Sequence, residues 1–94
     1  DWEANTRALI IPGGRDLPYQ RDLEPHATDR IRRWVQEAGG VYIGICAGAY
    51  FACKELAFEE DRPQFRVTGN RQLALYEGVA KGPLYPYPQA KIVT

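Results

Sequence analysis

The sequence predicts an α/β fold built on a parallel sheet, and three observations carry that prediction. Two short apolar runs, residues 8–11 and 41–45, read as strands, and a helical period lies between them. The second run leads into Gly44-Ile45-Cys46-Ala47-Gly48-Ala49, which reads as a strand-to-helix turn. Strand, helix, strand and helix in that order form right-handed parallel crossovers. Ligands of such sheets gather at the carboxyl ends of the strands. Pro12-Gly13-Gly14 and Cys46 both fall at that edge.

Each element follows from its residues. Ala8-Leu9-Ile10-Ile11 is a continuous apolar run closed by the diglycine, as expected of a buried strand. The next ten residues, with Pro18 and alternating charges, read as a loop. Pro25 suits a first helical turn. Ala27, Ile31, Trp34, Val35 and Ala38 then recur at helical spacing, which predicts an amphipathic helix of about 14 residues. Gly39-Gly40 ends it, with Gly39 at the left-handed cap position. Val41 to Ile45 is apolar at every second position on both faces, the pattern of a strand covered on both sides. Cys46 then opens a helix expected to reach about Glu55. Beyond Glu60 the residues 65–68 and 72–76 are short alternating runs, broken by Gly69-Asn70 and Gly78, and read as extended or hairpin-like segments. Gly82-Pro83 begins a turn-rich stretch of alternating Tyr and Pro up to Pro88, which suits a packing layer and a pocket rim equally. Residues 91–94 read as a last strand. Residues 1–94 are expected to form a single domain.

Bulk properties exclude several functions. Twelve basic and twelve acidic residues in 94 give a net charge of zero, so no nucleic-acid partner is visible. Arg30, Arg32 and Arg33 cluster, but Asp29 and Glu37 lie within a turn, as on a solvated, salt-bridged helix face. No run reaches the roughly 18 apolar residues that a membrane helix needs, and no leader is evident. Cys46 and Cys53 are too far apart along a helix to bridge, so both are expected as free thiols, which suits the cytoplasm. One histidine and two separated cysteines make no metal site. Nucleotide signatures are absent, and no cofactor is expected. The partner expected is an unidentified small molecule, and a short sheet with an open edge favours pairing with a second copy.

Cys46 is the residue with chemistry. A thiol between Gly44 and Gly48 at a strand-to-helix turn has the arrangement of the Gly-x-Ser-x-Gly elbow, which holds a nucleophile above a sheet. The helix start is expected to favour thiolate. The bland alternative is a structural cysteine packed under a helix. Cys53 has no such setting and reads as core. His26, the sole histidine, suits an exposed or capping position. Glu55, Glu59 and Glu60 are candidates for a carboxylate near Cys46 and suit a solvated edge as well. Asp16 reads as a brace for the diglycine bend, bonding its backbone N–H groups, with substrate binding as the lesser role. Gly13 and Gly14 are either a plain turn or a scaffold for oxyanion donors. Tyr50, Phe51, Tyr85 and Tyr87 either line a pocket or fill a small core.

Taken together, residues 11–19 (Ile-Pro-Gly-Gly-Arg-Asp-Leu-Pro-Tyr) and 44–50 (Gly-Ile-Cys-Ala-Gly-Ala-Tyr) resemble the N-terminal domain of biotin–protein ligases. Residues 58–63 and 78–83 are similar to the same family, so the resemblance runs from about residue 8 to 88. That domain belongs to the class I glutamine amidotransferase-like superfamily. The resemblance therefore implies a three-layer, flavodoxin-like α/β fold, here a fragment or a short member. It implies a nucleophilic Cys46, with an oxyanion site at the backbone N–H groups near Gly14 and of Ala47. Departures are plain: working amidotransferases carry a His-Gln pair where this chain has Ala49-Tyr50, and no histidine follows Cys46. The Gly-Arg-Gly-Arg-x-Gly loop of the ligase catalytic domain is absent from the sequence, so biotin ligation itself is not implied. The leading functional expectation is an amidotransferase-like domain with an elbow cysteine and an incomplete triad. The alternatives are a non-catalytic binding or regulatory module and a redox-responsive thiol.

Overall fold

The computed structural model describes residues 2–83, so the expectations for residues 84–94, including the Tyr/Pro stretch and the terminal strand, lie outside the described residues. The chain opens with a short helix, α1 (Trp2–Asn5), and enters β1 (Ala8–Ile11). The segment after β1 is not the loop its charges suggest. Residues Asp16–Leu23 form a helix, α2. Pro18 lies in its first turn, where a missing N–H breaks no intrahelical bond, and that is why the proline permits rather than prevents the helix. Tyr19 and Leu23, one turn apart, both pack against the core.

The amphipathic helix forms as α3 (His26–Ala38), and Gly39 ends it at φ 75°. Pro25 stands just ahead of it, and its carbonyl accepts from the Asp29 N–H and the Thr28 hydroxyl, both at 3.0 Å. Ile31 and Trp34 turn inward, and Trp2 meets Trp34 edge-on at 5.2 Å. On its outer face Arg33 pairs with Asp29, while Arg30 reaches instead to Glu3 of α1.

β2 (Val41–Gly44) pairs in parallel with β1, from Ala8 opposite Val41 to Ile11 opposite Gly44. The expectation that this strand is covered on both sides needs correction. Leu9 and Tyr42 face the core, but Ile10 and Val41 are 56% and 52% exposed and Ile43 is 42% exposed. Among the described residues these two strands form a sheet of their own, with one face packed and one open.

The helix after Cys46 is also shorter than expected. α4 (Ala47–Phe51) has five residues, and β3 (Cys53–Phe58) begins where the helix was expected to continue. Lys54-Glu55-Leu56-Ala57 has good helical propensity, but pairing on both edges overrides it. β4 (Val67–Asn70) runs antiparallel to β3, and β5 (Tyr76–Gly82) runs parallel to it, giving the order β4-β3-β5. The extended segment expected at 72–76 is irregular up to the start of β5, with Leu73 fully buried, and Gly78 lies inside β5 rather than breaking it. Among the described residues the architecture is thus a mixed α/β domain with a parallel pair and a separate mixed three-stranded sheet. Phe51, Ile31 and Leu73 form the core between them.

Candidate functional site

Backbone contacts build the elbow. Ile45 N–H donates to the Ile11 carbonyl, continuing the β1–β2 ladder one residue past β2, and Gly48 N–H returns to the Ile45 carbonyl, each at 3.0 Å. Between them Cys46 is held at φ 54°, ψ −112°, a conformation that L-residues avoid. Such a residue stores about 1–3 kcal/mol of strain and persists only where its surroundings fix it. Those surroundings are tight. A Cβ on Gly48 would collide with the Ile11 carbonyl, and one on Gly44 would stand 2.6 Å from the Gly48 oxygen. The Tyr42 hydroxyl donates to that same oxygen at 2.7 Å, tying the start of α4 to β2. Burial pushes the Tyr42 phenol well above its ordinary pKa, so it stays protonated as a donor.

The diglycine bend lies against the elbow, with Gly13 so close that a Cβ there would sit 3.4 Å from the Cys46 Cβ. Tyr19 fixes the bend from α2, its hydroxyl lying 3.0 Å from both the Pro12 and Gly13 carbonyl oxygens. Cys46 is exposed at this junction, not buried beneath a helix. Its Sγ has no hydrogen bond to any described residue, and the helix that follows it has only five residues. Cys53, expected in the core, is half-buried at the start of β3, and its thiol donates to the Ala49 carbonyl at 3.5 Å. Desolvation raises the Cys53 pKa.

A cavity of about 720 Å³ opens in front of the elbow. Gly14, Arg15, Asp16, Cys46, Ala47 and Tyr50 line one side, while Leu56, Phe58 and residues 64–67 line the other. The amides of Gly14 and Ala47 donate to no backbone carbonyl among the described residues. Tyr50 stacks edge-on to Phe58 at 5.5 Å and its hydroxyl presses onto Gly82. Its phenol pKa is raised, first by burial and then by the neighbouring Cys46.

The structure redistributes the acidic candidates. Asp16 does not brace the glycine bend: it is 7% exposed and takes three hydrogen bonds from Arg71, the shortest 2.5 Å from Nη2. Arg71 is itself 4% exposed. Glu59 is buried away from the cavity at φ 52° and pairs with Arg62 at 3.4 Å, while Glu60 faces Lys81 on the surface. Glu55 lies in β3, paired with Asn70 and Val79. His26 opens α3 and has no bond to Cys46. Sequence reasoning missed Arg15, Arg66 and Arg71. Nothing local marks Arg71, which meets Asp16 across a separation of 55 residues. Tyr19 carried a usable signal, its i,i+4 spacing to Leu23. No group of His, Cys, Asp and Glu among the described residues could hold a metal, and none of their helices is long and apolar enough to cross a membrane.

A family model described as "Biotin-protein ligase, N terminal" matches residues 1–89. An uncharacterized protein of Chlamydia muridarum is 46% identical over 84 residues, 89% of this chain and 32% of that protein. A biotin–protein ligase of Schizosaccharomyces pombe is 35% identical over 85 residues, 90% of this chain and 13% of the ligase. The chain thus spans a third or less of these relatives. No solved structure matches. These matches, with no base hydrogen-bonded to Cys46 among the described residues, overturn the leading functional expectation, amidotransferase-like chemistry at Cys46. The chain belongs to the biotin–protein ligase N-terminal family.

Proposed function

We propose that this domain is a non-catalytic binding module whose small-molecule ligand occupies the notch in front of Cys46. One observation carries the reading: an exposed cysteine on a strained turn lines a cavity of about 720 Å³ whose one carboxylate among the described residues, Asp16, is already committed to Arg71. Ligand sites are commonly about 300–1,000 Å³, largely apolar, with a few converging polar groups. Leu56, Phe58 and Tyr50 supply the apolar wall, and the Gly14 and Ala47 amides supply donors. Gly13, Gly44 and Gly48 act as the scaffold that brings those donors beside the sulfur. Acyl transfer needs a proton donor for the leaving group, and no His, Asp or Glu among the described residues is hydrogen-bonded to Cys46 to serve as one. Kinship with the wider glutamine amidotransferase-like superfamily and its flavodoxin-like fold belongs to the same proposal. The parallel β1–β2 pair with Cys46 at its carboxyl end supports it.

Two measurements test the module. Ammonia release from glutamine is expected at the same background rate with wild-type protein and Cys46→Ala, and Cys46-dependent turnover would overturn the reading. In a fragment screen followed by amide chemical shifts, perturbations should concentrate at Gly14, Cys46, Ala47 and Tyr50. Perturbations scattered over the surface would remove the notch as a binding site.

A further inference from the structure

We infer that the notch selects a small organic anion, an oxyanion group on a flat apolar body, and that Arg15 and Arg66 hold the anionic end. The inference rests on the binding-module reading and adds the ligand's charge class. Among the described residues, three charged ones line the cavity: Arg15, Asp16 and Arg66. Asp16 is neutralised by the buried Arg71, whose Nε and Nη2 both bond its carboxylate. Arg15 enters the lining from beside the diglycine bend and Arg66 from just before β4. Neither guanidinium has an ion pair among the described residues, although Arg21, Arg30, Arg33, Arg62 and Arg71 all do. The whole chain carries no net charge, so this local excess is a property of the cavity and not of a generally basic surface.

The chemistry follows from the guanidinium group. Arginine is always protonated, and its planar fork of donors matches a carboxylate or phosphate. Two such groups lining one cleft with apolar walls concentrate anions within it. The flat body is set by the walls, where Phe65, Tyr50 and Phe58 present aromatic surface. The Arg62 guanidinium lies over the Phe65 ring, 4.6 Å from its centroid, and Arg62 is in turn paired with Glu59.

The two free thiols make the test internal. Iodoacetate and iodoacetamide have nearly the same shape and react alike: the thiolate sulfur forms a bond to the CH2 carbon as iodide leaves. They differ in charge. Dividing one rate by the other at the same sulfur cancels its thiolate fraction, and Cys53, which does not line the cavity, serves as the reference. Rates at each cysteine are read by peptide mass spectrometry at low salt. The iodoacetate-to-iodoacetamide ratio is expected to be about tenfold higher at Cys46 than at Cys53. It should fall toward the Cys53 value in Arg15→Gln/Arg66→Gln and in 0.5 M salt, and stay unchanged in Arg33→Gln. Arg15 and Arg66 are exposed, so the double variant keeps its fold, which circular dichroism checks. To separate oxyanion types, 4-phenylbutyrate and phenyl phosphate are compared as protectants of Cys46 against neutral 4-phenylbutyramide. Stronger protection by either anion supports the inference and names the group. Equal ratios at the two cysteines, or a ratio indifferent to the double substitution, overturns it. If fragments still cluster at the notch in that event, the anion class falls while the binding module stands; loss of clustering removes both.

Discussion

The two walls of the cavity are held in place by different forces. The elbow wall, from β1 through α4, is fixed by backbone pressed on backbone: Gly48 lies on the Ile11 carbonyl, and Tyr42 and Tyr19 donate to main-chain oxygens. The facing wall, from β3 to β5, depends on side-chain charge, with Glu59–Arg62 bracing the 59–66 connection and Arg71 docked on Asp16. A wall made of backbone contact tolerates changes of side-chain chemistry but no added volume. A wall braced by buried charge is sensitive instead to the loss of either partner. The elbow therefore reads clearly in a sequence, as a pattern of glycines, while the charged wall does not.

Four substitutions or conditions probe that contrast. The largest effect is expected from Arg71→Ala, which leaves Asp16 buried without its partner and should cost about 3–5 kcal/mol in urea denaturation. A loss under 1 kcal/mol would mean that water already reaches the pair. Next, Gly48→Ala adds one methyl against the Ile11 carbonyl and should cost about 1–3 kcal/mol by overpacking. If it is neutral, the elbow is not held by close approach. The third probe is alkaline pH. Tyr42 keeps its proton in the folded state beyond its ordinary value, chiefly through burial. Its contribution is fully present below about pH 10, where the unfolded phenol titrates, and declines above that as the unfolded chain sheds a proton the folded one retains. The slope is up to about 1.4 kcal/mol per pH unit, and the higher pKa values of Tyr50 and Cys53 act in the same direction. Denaturation curves between pH 9 and 11 should show Tyr42→Phe flattening this decline. The smallest effect belongs to Arg33→Ala, which removes an exposed pair with Asp29 and should change stability by only about 0.3–0.5 kcal/mol.

What could be read in advance divides along the same line. β1, α3, its glycine cap and β2 were legible because each follows from a local period and a local stop signal. The elbow was legible because a strained turn needs small neighbours close in sequence. α2 was hidden by Pro18 and a run of charges, although a proline in the first turn is compatible with a helix. The helix expected to reach Glu55 gave way to β3 because Leu56 and its neighbours gain more from two strand partners than from local propensity. The open face of Ile10, Val41 and Ile43 looked covered because an apolar run reports what a strand can bury, not what lies over it. Asp16 was noticed but misassigned, since its partner lies far along the chain.

That partnership has a consequence for how the domain assembles. Joining positions 16 and 71 ties together residues 55 apart in the chain, a closure whose entropic cost grows only slowly with loop length. Until that contact forms, the Asp16 carboxylate lacks the guanidinium that compensates it. A polypeptide clipped before Arg71 keeps every described residue that lines the chamber, but leaves the acid on its wall without a counter-charge.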